Sequence, residues 1–540
     1  MREFRCVDPR PAGRVLGEGA SGECEAETEE TGRNPLHACQ YLTPHGLDTP
    51  PACRINGAAV HPFVKDRADF DRLGARTIEM LGDYLRALPA EPVDRVVPEA
   101  IRRRLMALPM PEQGLAPDEM IEFLRREILP WPIAIGHRRS YGWVNSPPAP
   151  ISILADAVAT TMNCGLDGYD HAALFLMSSV GRWIMELVGF PTAGSLCLLL
   201  TGGSAATLNA LTAARHRAAE QAGWNLRAEG LQGGRARLVL YASSESHSSI
   251  QKCVEQLGIG TDNLREIPVD DQFRMRPDAL RHAIEADRQA GCLPFAIVAC
   301  GGATNTGAID PLDAIADVAE ESGVWLHVDG AFGAWAALDP AYASRFAAIA
   351  RADTVTLNPH KWPQVPLDCG ALLTRHAGVH RAAFSLTPDY LVAGHSEVPW
   401  PCEHMFQLTY GNRALKTWAA LARLGRSGLT ELVTRCNRLA TLLDARVRES
   451  PDLELLAPAS LSVVNFRYRP VGRDFDDPAL DALNGRISAA ISDSGEAHLP
   501  TSRVRGRTSL RACFLHYEND EGDVEHLVQL VRRLGSTHAS

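Results

Sequence analysis

Lys361 sits in the run Asn358-Pro359-His360-Lys361-Trp362, directly after the apolar stretch Thr354-Val355-Thr356-Leu357. That stretch reads as a buried strand, so the lysine falls where a strand ends and a loop begins. Upstream, a second strand-like run, Trp325-Leu326-His327-Val328, ends in Asp329-Gly330-Ala331. A lysine condenses with an aldehyde to give a Schiff base, and a carboxylate pairs with a protonated pyridine nitrogen. An acid and a lysine at the ends of neighbouring strands therefore suit pyridoxal phosphate. Neither residue is diagnostic alone, since a lysine after a strand is ordinarily a surface residue and an aspartate there is often a helix cap.

Further stretches add to the pair. The strand-like run Leu196–Leu200 leads into Thr201-Gly202-Gly203-Ser204-Ala205-Ala206-Thr207 and then a helical run from Leu208 to Arg215. Two glycines allow a tight turn, the helix start offers free N–H groups, and Ser204 adds a hydroxyl, so this loop suits a phosphate. No lysine follows the glycines, which sets it apart from a nucleotide P-loop. After the next strand comes Ser243-Ser244-Glu245-Ser246-His247-Ser248-Ser249, whose histidine could stack on a planar ring or relay protons. The strand Phe295–Cys300 leads to Gly301-Gly302-Ala303-Thr304-Asn305-Thr306-Gly307. All of these candidates fall at strand C-termini, where open α/β sheets bind ligands.

The elements that position them alternate. From about Ile151 to Leu424, strands at Leu196–Leu200, Leu238–Tyr241, Phe295–Cys300, Trp325–Val328, Thr354–Leu357 and Ala371–Thr374 are separated by helices such as Pro311 to Ser322. This pattern predicts an α/β fold, a mainly parallel sheet with helices on both faces. Helical spacing of Phe70, Leu73, Ile78, Met80, Leu81, Tyr84, Leu85 and Leu88 predicts a helix from Asp69 to about Leu88, and a second is expected from Pro117 to Ile128. Beyond about Gly425, an amphipathic helix, strand candidates Ser462–Tyr468 and Ser509–Leu515 and a last helix from Asp523 to Leu534 predict a smaller α+β C-terminal domain. The expected division is thus residues 1–65, an extension rich in Gly, Pro, Glu and Thr and mostly disordered; 66–150, helical; 151–425, a large cofactor-binding domain; and 426–540. Gly17-Glu18-Gly19-Ala20-Ser21-Gly22 fits a dinucleotide pattern but lacks the preceding strand, so nothing is expected to bind there.

The chain has 540 residues, enough for about two to four domains, and a net charge of −11 that argues against nucleic acid as a partner. No run of 18 apolar residues is present to span a membrane, and the start lacks the apolar core of a signal peptide. Thirteen scattered cysteines favour reduced thiols and a cytoplasmic location, with Cys164, Cys197, Cys300, Cys369 and Cys513 read as small core residues. No metal is expected, because neither His-Glu-x-x-His nor paired-cysteine spacing occurs.

Taken together, Gly202-Gly203-Ser204, Ser246-His247-Ser248-Ser249, His327-Val328-Asp329-Gly330-Ala331, Asn358-Pro359-His360-Lys361-Trp362 and Leu510-Arg511-Ala512-Cys513-Phe514 make the chain resemble the group II pyridoxal-phosphate-dependent amino acid decarboxylases, which include the aromatic-amino-acid, histidine and glutamate decarboxylases. The resemblance covers about residues 66 to 540. It implies the type I aminotransferase-like fold with a seven-stranded sheet, a homodimer embracing through its N-terminal helices with active sites at the subunit interface, and pyridoxal 5'-phosphate as cofactor. It implies that Lys361 takes the aldehyde, Asp329 pairs with the ring nitrogen, His247 stacks on the ring and Ala331 packs on its other face. Gly203, Ser204 and His360 would lie at the phosphate, Thr304 near the ring hydroxyl, and Asn358 in the same shell. Leu386-Thr387-Pro388-Asp389-Tyr390-Leu391 resembles the family's mobile loop, whose tyrosine is taken to protonate the carbanion left by carbon dioxide. With Tyr390 and His247 both present, the resemblance implies simple decarboxylation of an L-amino acid to its amine.

The substrate-pocket segments that match the aromatic branch read Tyr141-Gly142-Trp143-Val144-Asn145-Ser146 and Asn163-Cys164-Gly165-Leu166-Asp167-Gly168. Tyr141, Trp143, Val144, Asn145, Gly165 and Asp167 are the expected lining. Val144, Gly165 and Asp167 stand where that branch has bulkier residues, so a roomier, more polar pocket and a polar, non-standard or conjugated amino acid are expected. Alternatives are oxygen-dependent conversion to an aldehyde, β-elimination by a C–S lyase, and a catalytically weak cofactor-binding protein.

Overall fold

A computed structural model of the protein describes residues 61–165, 170–232, 234–386 and 398–539. The chain divides into two units, residues 1–67 and 68–540. Of the first unit only residues 61–67 are described, and all but His61 belong to the helix Pro62–Ala68. The glycine-rich motif at residues 17–22 and most of the expected extension therefore lie outside the described residues.

The second unit is built on a seven-stranded sheet, the number that the resemblance implies. Its strands are β1 (Leu196–Leu200), β2 (Leu238–Ser243), β3 (Leu264–Ile267), β4 (Leu293–Cys300), β5 (Trp325–Asp329), β6 (Thr354–Leu357) and β7 (Gly370–Thr374). They lie in the order β1-β7-β6-β5-β4-β2-β3. Only β7 runs against its neighbours. Alternate residues of the central strands belong to two separate apolar clusters. Leu238, Leu240, Ala296 and Val298 pack with Leu211, Ala214 and Val254 of the helices Gly203–Gln221 and Ser249–Gln256. Val239, Tyr241, Ile297 and Ala299 pack with Leu280, Ile284, Leu312 and Ile315 of the helices Pro277–Gln289 and Leu312–Ser322. Helices thus cover both faces, which is why these strands are apolar runs rather than alternating ones.

A second, antiparallel sheet follows, with β8 (Leu453–Leu455), β9 (Val463–Tyr468), β10 (Thr501–Val504) and β11 (Arg507–Cys513) in the order β10-β11-β9-β8. The helices Asp477–Ser494 and Glu521–His538 pack on it. Asn465 Nδ2 donates to the Asn305 carbonyl at 2.8 Å, and Ser460 Oγ donates to the Gly307 carbonyl at 2.8 Å, which ties this sheet to the loop after β4. Gly307 is required there: its φ is +73°, and a Cβ would stand 2.2 Å from the Ser460 oxygen.

The N-terminal helices form at Phe70–Ala87 and at Pro117–Phe123, the latter continued by a π-turn over Leu124–Ile128. Of the apolar positions on the first, only Met80 is buried. The helix Ala414–Glu449 is interrupted at Gly425, whose φ is +64° and ψ 175°. No helix among the described residues is long and apolar enough to cross a membrane.

Candidate active site

Because β1, β2, β4, β5 and β6 are mutually parallel, their C-terminal ends share one edge, and β7 begins there. Leu200 pairs with Gly370, Cys300 with Asp329 and Asp329 with Thr356. A cavity of about 540 Å³ opens at this edge, and residues at the C-terminal ends of β1, β2, β4, β5 and β6 contribute to its wall.

At the β1 end, Gly202 has φ +139°, and no side chain caps the helix Gly203–Gln221. The first N–H groups of that helix have no partner within it. Ser204 and Ala205 line the cavity at this end. A Cβ on Gly203 would lie 3.1 Å from Asn358 Nδ2, so the glycine lets the Asn358 amide close over the turn. That amide is buried, and its oxygen has no hydrogen-bond partner. His360 is buried beside it and accepts the Cys369 N–H at Nδ1, 3.2 Å. A neutral ring therefore carries its proton at Nε2. Burial, reinforced by the positive charge of Lys361, pushes the His360 pKa down to about 4. This end offers neutral donors and a helix N-terminus to an anion.

Lys361 is half-buried, and loss of solvation around its enclosed amine lowers its pKa from the ordinary lysine value, while Asp329 acts in the opposite sense. The deprotonated amine is the form that attacks an aldehyde. Ser146 Oγ donates to the Lys361 carbonyl, and the stacked pair Phe332–Trp362, with ring centroids 4.4 Å apart, lies beside it. Asp329 uses one oxygen to accept the Ala331 N–H at 3.2 Å, and no side chain among the described residues donates to it. Its other oxygen is left for a cationic N–H. Beneath it on β5, the buried His327 bonds Thr354 Oγ1 at 3.0 Å and Thr356 Oγ1 at 3.3 Å.

His247 and Ala331 supply parts of the remaining wall. The His247 Nδ1 accepts the Ser249 N–H at 3.1 Å, so its neutral ring also carries the proton at Nε2. Thr304 lines the cavity and its carbonyl accepts from Arg511 Nη1 at 2.7 Å, while Arg511 Nη2 donates to the Gly142 carbonyl. Trp143, Val144 and Asn145 close the open side, and Asn145 makes no hydrogen bond among the described residues.

Gly203, Ser204, His247, Thr304, Asp329, Ala331, Asn358, His360, Lys361, Trp143, Val144 and Asn145 thus all line one cavity. Tyr141 does not. It is fully buried in the core, edge-on to Phe514 with centroids 5.4 Å apart, and its hydroxyl donates to the Asp523 carbonyl at 3.3 Å. The chain bends between Tyr141 and Trp143, so the two side chains part company. Gly165 is not part of the cavity wall either. Asp167 and Tyr390 lie outside the described residues. Cys197, Cys300, Cys369 and Cys513 are buried, whereas Cys164 is half-buried. Cys300, Ser249 and Phe332 line the cavity without having been assigned a role from sequence. Each stands next to or inside a motif, which was the available signal.

The donor set fits a flat aldehyde bearing a basic ring nitrogen and a phosphate. The enclosed amine can take the aldehyde, the open carboxylate oxygen the ring N–H, and the glycine turn with the free N–H groups of the uncapped helix start the phosphate.

Comparison with known proteins agrees. Residues 101–469 match the family described as pyridoxal-dependent decarboxylase conserved domain. An aromatic-L-amino-acid decarboxylase of Bacillus atrophaeus is 28% identical over 468 residues, covering 86% of this chain and 94% of its own. A phenylacetaldehyde synthase of Arabidopsis thaliana is 26% identical over 497 residues, 89% of this chain and 98% of its own. In fold, the chain is similar to the Oryza sativa TDC solved with PLP and tryptamine, with a TM-score of 0.82 at 24% identity over 89% of this chain and 99% of that one.

Proposed function

The chain belongs to the pyridoxal-dependent decarboxylases, enzymes that use pyridoxal phosphate to decarboxylate amino acids, and from this premise we propose that it converts a polar, non-standard or conjugated L-amino acid to the corresponding amine and carbon dioxide. The observation that carries the site assignment is the convergence on one cavity of a half-buried lysine with lowered pKa, a carboxylate with an open oxygen and an uncapped helix start.

In this reading Lys361 is the residue that would hold the cofactor through its aldehyde. Ser204, Asn358, His360 and the N–H groups after Gly202 hold the phosphate, and Asp329 keeps a proton on the ring nitrogen. Bound pyridoxal phosphate supplies the sink for the electron pair left when the bond to the carboxylate breaks. His247 and Ala331, both in the cavity wall, would hold the ring between them, and the His247 Nε2–H would be available to the substrate. Tyr390 delivers the proton that replaces carbon dioxide at Cα. The substrate side chain meets Trp143, Val144 and Asn145. The free Asn145 amide and the small Val144 support a side chain with a neutral hydrogen-bonding group.

A homodimer is part of the same proposal. Phe70, Ile78, Ile151, Leu154 and Val158 are large apolar side chains exposed on the helices Phe70–Ala87 and Pro150–Met162, a surface suited to a second copy. Because a phenylacetaldehyde synthase stands among the relatives, oxygen-dependent aldehyde formation is the second reading.

A panel of amino acids followed together for carbon dioxide, oxygen, ammonia and amine tests both. Carbon dioxide and amine in equal amounts without oxygen uptake are expected. Oxygen uptake with aldehyde would favour the second reading, and rapid turnover of dopa or tryptophan over every polar substrate would overturn the substrate class. Lys361→Ala should lose the visible absorption of captured cofactor, and a spectrum that survives would sink the site assignment.

A further inference from the structure

We propose that Lys416 provides the positive charge for the cofactor's phosphate from behind the glycine turn, and that Asp156 governs how much of that charge the phosphate feels. The inference rests on the reading that the phosphate sits at that turn. Among the described residues lining the cavity, Lys361 is the only lysine and there is no arginine, and Lys361 is committed to the aldehyde. A phosphate placed in a cavity on neutral donors alone leaves its charge uncompensated, which is unfavourable.

Lys416 is in the first turn of the helix Ala414–Glu449 and only 5% exposed. A cation there opposes the helix dipole, and burial adds a desolvation penalty. Its one ion pair among the described residues is a single contact to Asp156 at 3.3 Å, and the Asp156 side chain is itself 38% exposed. So meagre a pairing leaves most of the ammonium charge uncompensated.

One layer of structure separates it from the turn. The Cys369 N–H donates to His360, and Cys369 Sγ lies 3.3 Å from the hydroxyl of Thr417, the residue after Lys416. Gly370, next in sequence to Cys369, abuts Gly202 so closely that a Cβ would stand 2.6 Å from the Gly202 Cα. On His360, kept neutral chiefly by burial, the Lys416 charge acts in the same sense as that of Lys361 and against that of Asp368. An anion at the turn converts an unfavourable buried charge into an attractive one.

The full-length enzyme, freed of cofactor, is titrated with pyridoxal phosphate and separately with pyridoxal, which has the aldehyde and no phosphate; capture by Lys361 is read from visible absorption. Lys416→Met should weaken pyridoxal phosphate roughly tenfold or more and leave pyridoxal unchanged, the effect of one charge acting across a layer of protein. Asp156→Asn should tighten pyridoxal phosphate severalfold, again without touching pyridoxal. A merely structural ion pair predicts the same sign for both variants. Equal weakening of both aldehydes by Lys416→Met, or weaker pyridoxal phosphate in Asp156→Asn, overturns the inference. If wild type captures neither compound, the cofactor-site reading itself falls. Should Lys416→Met fail to fold, inorganic phosphate decides: it should raise the melting temperature of the cofactor-free Asp156→Asn enzyme more than that of wild type, and an equal or smaller rise refutes the proposal.

Discussion

Lowering the pH from about 7 to about 5 should destabilise this protein sharply through histidines buried in their neutral form. His327, His360 and His516 have pKa values pushed down to about 4, and His380 to about 3, chiefly by burial. Each is at most 8% exposed. In the unfolded chain a histidine titrates near 6.5. Below that pH the unfolded state takes up protons that the native state cannot, so stability is present above pH 6.5 and lost as the pH falls towards 4. Asp310 acts in the opposite sense. Burial raises its pKa to about 7, so the native state holds a proton that the unfolded state has released, and falling pH favours the fold. Four histidines against one aspartate leave about three net protons near pH 5, or about 4 kcal/mol per pH unit. Integrated from pH 7 to 5, the loss is about 5 kcal/mol, comparable with the whole stability of many domains. Urea unfolding of the holoenzyme at pH 7, 6, 5.5 and 5, with fixed protein and excess cofactor, measures it. His380 lies outside the cavity, bonds Asn209 at 3.0 Å through Nδ1 and leaves Nε2 unpartnered, so His380→Gln should flatten the dependence by about one proton. A midpoint that stays level or rises towards pH 5 would refute the reasoning, as would a His380→Gln slope equal to that of wild type.

Three further outcomes follow from the same structure. Gly307→Ala forces a Cβ into the Ser460 carbonyl at positive φ, so it should destabilise by about 3 kcal/mol or more in urea, while Gly189→Ala, at φ +73° but with open space around it, should show only the smaller backbone penalty. Asp329→Asn should still bind cofactor but lose about 100-fold or more in kcat, because nothing then holds the ring proton; near-normal kcat in stopped-flow or steady-state assays would contradict the role given to its open oxygen. His360→Gln retains a donor near the Nε2 position and His360→Asn does not, so pyridoxal phosphate should bind more tightly to the Gln variant, and the reverse order in a titration would contradict the tautomer assigned from the Cys369 N–H.

What could be read from sequence follows the physics of burial. The strands β1, β2, β4, β5, β6 and β7 were legible because both their faces are covered, which leaves an apolar run even in β1, an edge strand of its sheet. β3, β8 and β10 were not, for each is an edge strand that, unlike β1, is not a continuous apolar run. Their sequences, Leu-Arg-Glu-Ile in β3 and Thr-Ser-Arg-Val in β10, carry the charges that edges tolerate. The cavity residues were legible because strand C-termini share an edge in a parallel sheet, so chemistry-bearing residues at those ends had to meet. Tyr141 was misplaced because proximity along a bent segment does not fix which side chain turns inwards. Cys300 was read as core, and its 3% exposure agrees, yet as the last residue of β4 it also reaches the cavity. The partnership of Lys416 with the phosphate turn had no sequence signal, since it depends on how the helix Ala414–Glu449 packs behind β7.

The electrostatics of the cavity connect the acid sensitivity with the chemistry. Burial opposes protonation of His360, and the charges of Lys361 and Lys416 add to it against that of Asp368. A charged imidazole at that point would strengthen phosphate binding only in acid, and its donor strength would change across the range where histidine normally titrates. Kept neutral, with Nδ1 already occupied by a backbone N–H, the ring presents an Nε2–H donor whose character does not change from about pH 5 upwards. The constancy comes from burying the neutral imidazole of His360, and such burial is what lets the unfolded state win as protons become abundant. A phosphate donor that does not titrate at neutral pH therefore fails in acid through the fold before it fails through its own chemistry.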